Sequence, residues 1–274
     1  MTRLAQAGSF VRKKTPYMIN SKTVLFLTGA FVSHSCWQEW QSFFEARGYR
    51  TLAPPWLKKE GDASDLRNRH PDAGLAAVTL TDLINYYGEI IQGLQEKPIL
   101  IGHSFGGLMA QVFLNRGLAA SCIAIHAAPP RGVIPYEWNF LRSNARALGF
   151  LTPIDKTYLI SFPKWQFVFT NGMAYEDQKS SYYALATPES KWILRGALTA
   201  AAEVDYSRAH APLLLLAGSQ DHCIPAHLCK RVYHRYIDTG SVTEFVMKDR
   251  NHFVLGQPGW RKDAEFILDW IRRH

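Results

Sequence analysis

Short apolar runs alternate with amphipathic segments along most of this chain. The runs typical of buried strands cover residues 23–27, 50–53, 98–101, 121–126, 212–217 and 243–247. Segments with apolar residues at helical spacing cover residues 37–47, 80–94, 226–237 and 260–273. Thr79 or Thr81 provides an N-cap for the second of these helices. Strands that alternate with helices predict an α/β fold with a mostly parallel central sheet flanked by helices.

Two stretches interrupt this alternation. Residues 54–74 carry Pro, Gly, Asp and Asn without a period, which predicts a long surface loop. Residues 131–208 hold many aromatic residues and helix-like pieces but no clear core strand, so we interpret them as an inserted helical cap. The predicted core is therefore 23–130 together with 209–274. Residues 1–22 form a basic N-terminal tail, for which we expect either mobility or a short edge strand.

Much of the charge of this 274-residue chain lies near its start. The net charge is +8, and five cations precede the first acidic residue: Arg3, Arg12, Lys13, Lys14 and Lys22. Only +3 remains for the rest of the chain, so we expect no nucleic-acid partner. No apolar run approaches the length of about 18 residues that a membrane span needs. Four cysteines are few for a disulfide framework, which favours reduced thiols and a cytoplasmic location.

Candidate chemistry begins at Gly102-His103-Ser104-Phe105-Gly106. An apolar strand-like run ends at Gly102, and a helix-compatible pattern follows Ser104. This is the setting of a nucleophile elbow, a sharp turn that exposes the serine Oγ. The same turn leaves the Phe105 N–H at a helix start, where it can stabilise an anion.

Two further polar residues follow later strands. Asp221 comes after the run 212–217, and His252 follows the run 243–247. The carboxyl ends of parallel strands share one edge of a sheet, so both are expected near Ser104. A weak nucleophile such as serine needs a base and a group that orients the base. Asp249 and Glu244 remain alternatives for the acid.

Other histidines and cysteines receive plainer interpretations. His103 and His126 lie at strand ends, where a satisfied structural histidine is the favoured reading. Four potential zinc ligands cluster near the acid, but their spacing fits no familiar zinc finger; they are His222, Cys223, His227 and Cys229. We therefore expect no metal site and no cofactor.

With these residues in chain order, the sequence resembles the α/β-hydrolase superfamily over nearly all of residues 23–274. The resemblance implies Ser104 as nucleophile, Asp221 as acid and His252 as base. It also implies an oxyanion hole formed by the N–H groups of Ala30 and Phe105. Thr28 stands where many members carry histidine, and the Phe31 N–H is the alternative to that of Ala30. The stretch 29–48 looks like the smaller esterase and hydroxynitrile-lyase branch.

The function expected from this resemblance is a serine hydrolase that cleaves a carboxylic ester or related acyl bond through an acyl-enzyme. The substrate would be a small, mainly hydrophobic molecule, and Phe31 and Trp138 are the candidate substrate-binding residues. Alternative activities on the same triad are C–C bond hydrolysis, hydroxynitrile lysis and cofactor-free haloperoxidase or perhydrolase chemistry. A non-enzymatic alternative is a ligand-binding receptor with a vestigial triad.

Overall fold

A computed structural model describes residues 9–11, 18–150, 152–236 and 240–274 of the chain. Within these ranges the chain forms seven strands and eleven α-helices. The strands are β1 (Ser9–Val11), β2 (Thr23–Leu27), β3 (Arg50–Leu52), β4 (Ile99–His103), β5 (Ser121–Ile125), β6 (Leu213–Gly218) and β7 (Thr243–Lys248). The helices are α1 (Gln38–Glu45), α2 (Ala63–Asn68), α3 (Ala73–Ala76), α4 (Leu80–Gln92), α5 (Phe105–Asn115), α6 (Trp138–Leu148), α7 (Phe162–Val168), α8 (Tyr175–Leu185), α9 (Lys191–Gly196), α10 (Ala226–Arg235) and α11 (Trp260–Arg273).

All seven strands belong to one sheet, in the order β1-β7-β6-β5-β4-β2-β3. The six strands from β2 to β7 run parallel, and β1 pairs antiparallel with β7 at the edge. The predicted α/β class with a mostly parallel sheet is confirmed. The strand β1 lies in the segment where we expected mobility or an edge strand, but residues 1–8 and 12–17 lie outside the described residues.

Helices cover both faces of the sheet because its central strands are apolar on both sides. Alternate residues of β2 show this arrangement: Leu25 packs in one apolar cluster, whereas Val24 and Phe26 pack in the other. Helices α4, α5 and α10 bury residues in the first cluster, and α1 and α11 bury residues in the second. A continuous apolar strand is therefore what this doubly covered sheet requires.

Most of the predicted elements appear close to their expected bounds. Helix α4 begins at a capping box in which Thr79 and Asp82 satisfy each other's backbone N–H groups, so Thr79 is the cap. Helix α10 ends at Arg235, and residue 237, where the sequence places its end, lies outside the described residues. Residues 54–74 contain the helix α2, so the prediction of a loop throughout this stretch is wrong. The buried Leu66 and two hydrogen bonds from Arg67 to the backbone of α8 and Ala186 hold this helix in place.

Four helices, α6 to α9, lie between β5 and β6 in residues 131–208, for which the sequence predicts a cap and which we call the cap segment. This segment also contacts the turn that follows β2. Backbone hydrogen bonds join Ser33 N–H to Leu185 O at 2.8 Å and Thr187 N–H to Phe31 O at 2.9 Å. The residues between β5 and β6 therefore add an extended piece, 186–189, which begins directly after α8 and lies against residues 31–33 of the core.

Candidate active site

Ser104 occupies the turn between β4 and α5 in a strained conformation. Its φ of 56° and ψ of −117° lie outside the regions that serine normally adopts. The glycines around it allow β2, β4 and α5 to approach closely. A Cβ atom on Gly102 would lie 2.2 Å from the Gly106 carbonyl oxygen, and one on Gly106 would lie 1.9 Å from the Leu27 carbonyl oxygen. Neither position can carry a side chain without a backbone shift.

His252 connects Ser104 to Asp221. Its Nε2 lies 3.1 Å from Ser104 Oγ, and its Nδ1 lies 2.7 Å from Asp221 Oδ2. A carboxylate oxygen only accepts hydrogen bonds, so His252 Nδ1 carries the hydrogen. In the neutral imidazole Nε2 is then an acceptor, directed at the serine hydroxyl. All three side chains are buried. The structure thus brings together the three residues that the sequence nominated.

Asp221 accepts four hydrogen bonds within the described residues, of which the sequence predicts only the one from His252. Its Oδ1 accepts from the backbone N–H groups of Cys223 and Ile224, both at 2.7 Å. Its Oδ2 accepts from His252 and also from His126 Nδ1, at 2.8 Å. The alternative acids lie elsewhere: Asp249 accepts from the Ser219 and Gln220 side chains, and Glu244 pairs with the imidazole of residue 274.

The electrostatics follow from this network. Burial alone would raise the pKa of Asp221, but the charge of His252 and the hydrogen bonds from both histidines outweigh it and hold that pKa below its ordinary value. Burial would lower the pKa of His252, yet the adjacent Asp221 carboxylate dominates and raises it. Asp221 is therefore ionised at neutral pH, which stabilises an imidazolium on His252 if one forms.

His103 supports the loop that carries His252. Its Nε2 donates to the backbone carbonyl of His252 at 2.8 Å. Burial, with the nearby charges of His252 and His126, lowers the pKa of His103 well below its ordinary value, so this imidazole is neutral. Its Nδ1 has no hydrogen-bond partner among the described residues.

In the described part of the chain, the ligand-type side chains that converge most closely are His126, Asp221 and His252, whose donor atoms lie within 4.8 Å of one another. Those atoms are already joined by the hydrogen bonds above. A metal ion there would have to replace both Nδ1 protons and break these bonds.

The candidate oxyanion donors lie in two places: Ala30 and Phe31 in the turn after β2, and Phe105 at the start of α5. Within the described residues, no acceptor is hydrogen-bonded to the N–H of Ala30 or to that of Phe105. The Phe31 N–H, the alternative donor, is instead bonded to the buried carboxylate of Glu189 at 3.1 Å. Phe31 itself has a φ of 68°, which is uncommon for a bulky residue. Of the two alternatives, Ala30 and Phe31, the N–H of Ala30 is thus the one that remains available.

An apolar cavity of about 320 Å³ opens beside Ser104. Ala30, Phe31 and Phe105 line it from the core, whereas Leu141, Leu148 and Leu194 line it from the cap segment. Among the described residues, Arg131 is the one charged side chain of its wall. The exposed side chains of Ile134, Leu141, Phe150 and Leu198 form its rim.

The structure places the two candidate substrate-binding residues differently. Phe31 lines the cavity, but Trp138 does not, and its side chain is 73% exposed. Trp138 is the first residue of α6, and helical side chains tilt toward the helix N-terminus. Leu141 and Leu148, further along the same helix, line the cavity instead.

The fold and this site define an α/β enzyme whose serine lies at the carboxyl edge of a parallel sheet. The model of the alpha/beta hydrolase family matches residues 24–261, so the chain belongs to this family and is a hydrolase. The resemblance seen in the sequence is thereby confirmed.

Comparison with solved structures gives the same fold. Polyneuridine aldehyde esterase has a TM-score of 0.64 and 14% identity, over 92% of this chain and 99% of that one. A pyrethroid hydrolase from Sphingobium faniae has a TM-score of 0.64 and 19% identity, over 92% and 98%. A methylesterase from Arabidopsis has a TM-score of 0.61 and 13% identity, over 91% and 98%. No curated protein sequence matches the chain. No helix in the described ranges is long and apolar enough to cross a membrane.

Proposed function

We propose that the protein is a serine hydrolase that cleaves a carboxylic ester or related acyl bond. The observation that carries this proposal is the contact of His252 Nε2 with Ser104 Oγ, 3.1 Å apart, at the wall of an apolar cavity. A serine hydroxyl becomes a useful nucleophile only when a base of the correct tautomer accepts its proton. Asp221 enforces that tautomer through the Nδ1 hydrogen bond.

The reaction runs in two halves. Ser104 Oγ attacks the substrate carbonyl carbon while its proton passes to His252 Nε2, and a tetrahedral oxyanion forms. The oxyanion collapses, the bond to the alcohol breaks, and the imidazolium returns the proton to the leaving oxygen. Water then attacks the acyl-enzyme with His252 as base, which releases the acid and restores Ser104. Asp221 stays ionised throughout and stabilises the imidazolium.

The N–H groups of Ala30 and Phe105 act as the oxyanion donors. Both lack an acceptor within the described chain and both residues line the cavity beside Ser104. The Phe105 N–H also lies at the first turn of α5, where the helix dipole favours negative charge. Donors fixed before the reaction stabilise the developing charge without reorganisation.

The cavity favours a small or medium hydrophobic substrate. Its wall is almost entirely apolar, and a charged group placed there would lose its hydration without a matching partner. The similar structures described above carry the names of esterases or hydrolases, which fits this class. We also propose a cytoplasmic location, because all four cysteines are free thiols and three of them are buried.

The direct test combines covalent labelling with ester hydrolysis. A fluorophosphonate probe should label the wild-type protein on Ser104, as located by mass spectrometry, and Ser104→Ala should abolish labelling and lower kcat by about 10³-fold or more. Ser219→Ala is the matched control, because Ser219 is an exposed serine that follows β6 of the same sheet and its hydroxyl donates to Asp249, outside the Ser104–His252–Asp221 network. Labelling that survives Ser104→Ala would refute the proposal, whereas tight ligand binding without turnover would favour a receptor.

A further inference from the structure

An ion pair is buried between the cap segment and the core, away from the Ser104–His252–Asp221 network. Lys59 Nζ lies 2.8 Å from Glu189 Oε2, and the two side chains are 3% and 0% exposed. Lys and Glu are almost never buried to this degree unless they are paired, and the desolvation of both charges is costly. The pair therefore requires an explanation beyond stability.

Glu189 reaches the oxyanion turn directly. Its Oε2, the same oxygen that binds Lys59, accepts the Phe31 N–H at 3.1 Å. Its Oε1 accepts the N–H of Ser190 at 3.0 Å, which fixes the carboxylate from the other side. Phe31 adopts a positive φ that persists only where surrounding contacts impose it. The carboxylate of Glu189 is one of those contacts.

The geometry of the backbone connects this contact with the Ala30 N–H. That N–H belongs to the peptide between residues 29 and 30. The preceding peptide is held through the Thr28 carbonyl, which accepts from the Trp56 indole at 3.1 Å. The following peptide is held through the Phe31 N–H by Glu189. Peptide units are planar, so two fixed neighbours leave the intervening unit little freedom to turn. The direction of the Ala30 N–H is thus set from both sides.

We propose that Glu189, anchored by Lys59, is a positioning residue that keeps the Ala30 N–H directed into the oxyanion hole. The proposal rests on the function proposed above, in which this N–H stabilises the oxyanion. Lys59 keeps the carboxylate in place and offsets its charge, so that the acceptor is rigid but the turn gains no net negative charge near the developing oxyanion. A residue of the cap segment in this way fixes the direction of an oxyanion donor that the core carries.

Two variants separate this role from a purely structural one. Glu189→Gln keeps an oxygen acceptor for Phe31 but leaves Lys59 buried without a counter-charge, so it should be the less stable protein. Lys59→Met combined with Glu189→Leu removes both charges and the acceptor; replacing a buried ion pair by apolar residues of similar volume is often neutral for stability. If Glu189 has only a structural role, the less stable variant, Glu189→Gln, should also be the less active one. If Glu189 positions the Ala30 N–H, the double variant should be the less active one although it is the more stable.

The measurement is kcat and KM for p-nitrophenyl butyrate, together with the Tm of each variant. We expect the double variant to lose about 10- to 100-fold in kcat, somewhat less than the loss of a whole oxyanion donor, with KM within about twofold. Glu189→Gln should have the lower Tm but keep at least about a third of the wild-type kcat. A folded double variant with wild-type kcat, or one changed only in KM, would overturn the proposal, whether or not Glu189→Gln folds.

Ser104→Ala, assayed in parallel, distinguishes the two levels of inference. If it retains wild-type activity, the proposed serine hydrolase function fails. If activity depends on Ser104 but the double variant keeps it, only the role of Glu189 fails.

Discussion

Gly106→Ala should damage both the stability and the catalytic rate of this protein. The added Cβ would lie 1.9 Å from the Leu27 carbonyl oxygen, whereas nonbonded heavy atoms normally approach to about 3.5 Å. Helix α5 and strand β2 must therefore separate by about 1.5 Å to accommodate one methyl group. The obstacle is backbone, so no rotation of a side chain can relieve it.

The separation has two measurable consequences. Overpacking of a close-packed interior costs about 1–3 kcal/mol, and a rigid backbone contact places this variant near the upper end. The same shift moves the start of α5, which carries the Phe105 N–H, and a misplacement of about 1 Å costs about 10²-fold in rate. Urea unfolding gives the first quantity, and kcat for a p-nitrophenyl ester gives the second.

Gly88→Ala is the matched control. Gly88 lies inside α4, and a Cβ there would meet nothing closer than Phe113 at 3.9 Å, an ordinary contact. Alanine in a helix interior is favoured over glycine by about 0.5–1 kcal/mol, so this variant should be slightly more stable and equally active. A Gly106→Ala protein that matches Gly88→Ala in both stability and kcat would refute the close-packing argument.

Three further outcomes follow from the site. First, activity should rise with pH, because only the neutral imidazole of His252 accepts the serine proton. Since Asp221 raises the pKa of His252, the midpoint of kcat/KM against pH should lie above the ordinary histidine value of about 6.5, and a midpoint at or below that value would contradict this. Second, Asp221→Asn should lower kcat by about 10³-fold or more, whereas Asp249→Asn should change it less than about threefold, because of these two acids it is Asp221 that bonds to His252. The reverse order would exclude the assignment. Third, kcat/KM should rise by up to about fourfold per added methylene from acetyl to about butyryl or hexanoyl esters, and should then fall because the cavity is full. The same kcat/KM across the series would argue against the cavity as the acyl site.

The sequence predicted the elements whose signals are local. A glycine on each side of Ser104, a capping residue before α4 and apolar runs of strand length each reflect contacts within a few residues or within one strand. The order of Ser104, Asp221 and His252 then placed three chemical groups at one edge of the sheet, because parallel strands end on the same side. The structure agrees with each of these particulars.

The residues that the sequence did not reveal act across long separations. His126 was interpreted as structural, and nothing around it indicates that its Nδ1 meets the acid 95 residues later. Lys59 and Glu189 are separated by 130 residues, and each alone has the appearance of a surface charge. Helix α2 depends on contacts of Arg67 with the cap segment. Trp138 is the opposite case, a residue that the sequence nominates for substrate binding. The structure leaves it exposed and outside the cavity.

The pairing of residues 185–189 with the turn after β2 also fixes where this chain can be recombined with its relatives. Exchanging 131–208 alone would transplant a segment whose backbone donors and acceptors were matched to another turn, and would leave Lys59 buried without its partner. An exchangeable module is therefore discontinuous, because residues 28–33, residues 56–59 and Arg67 contact residues 183–189 and would have to be exchanged together with 131–208. A change of substrate preference by exchange of this segment is, for this chain, a redesign of its contacts with the core as well.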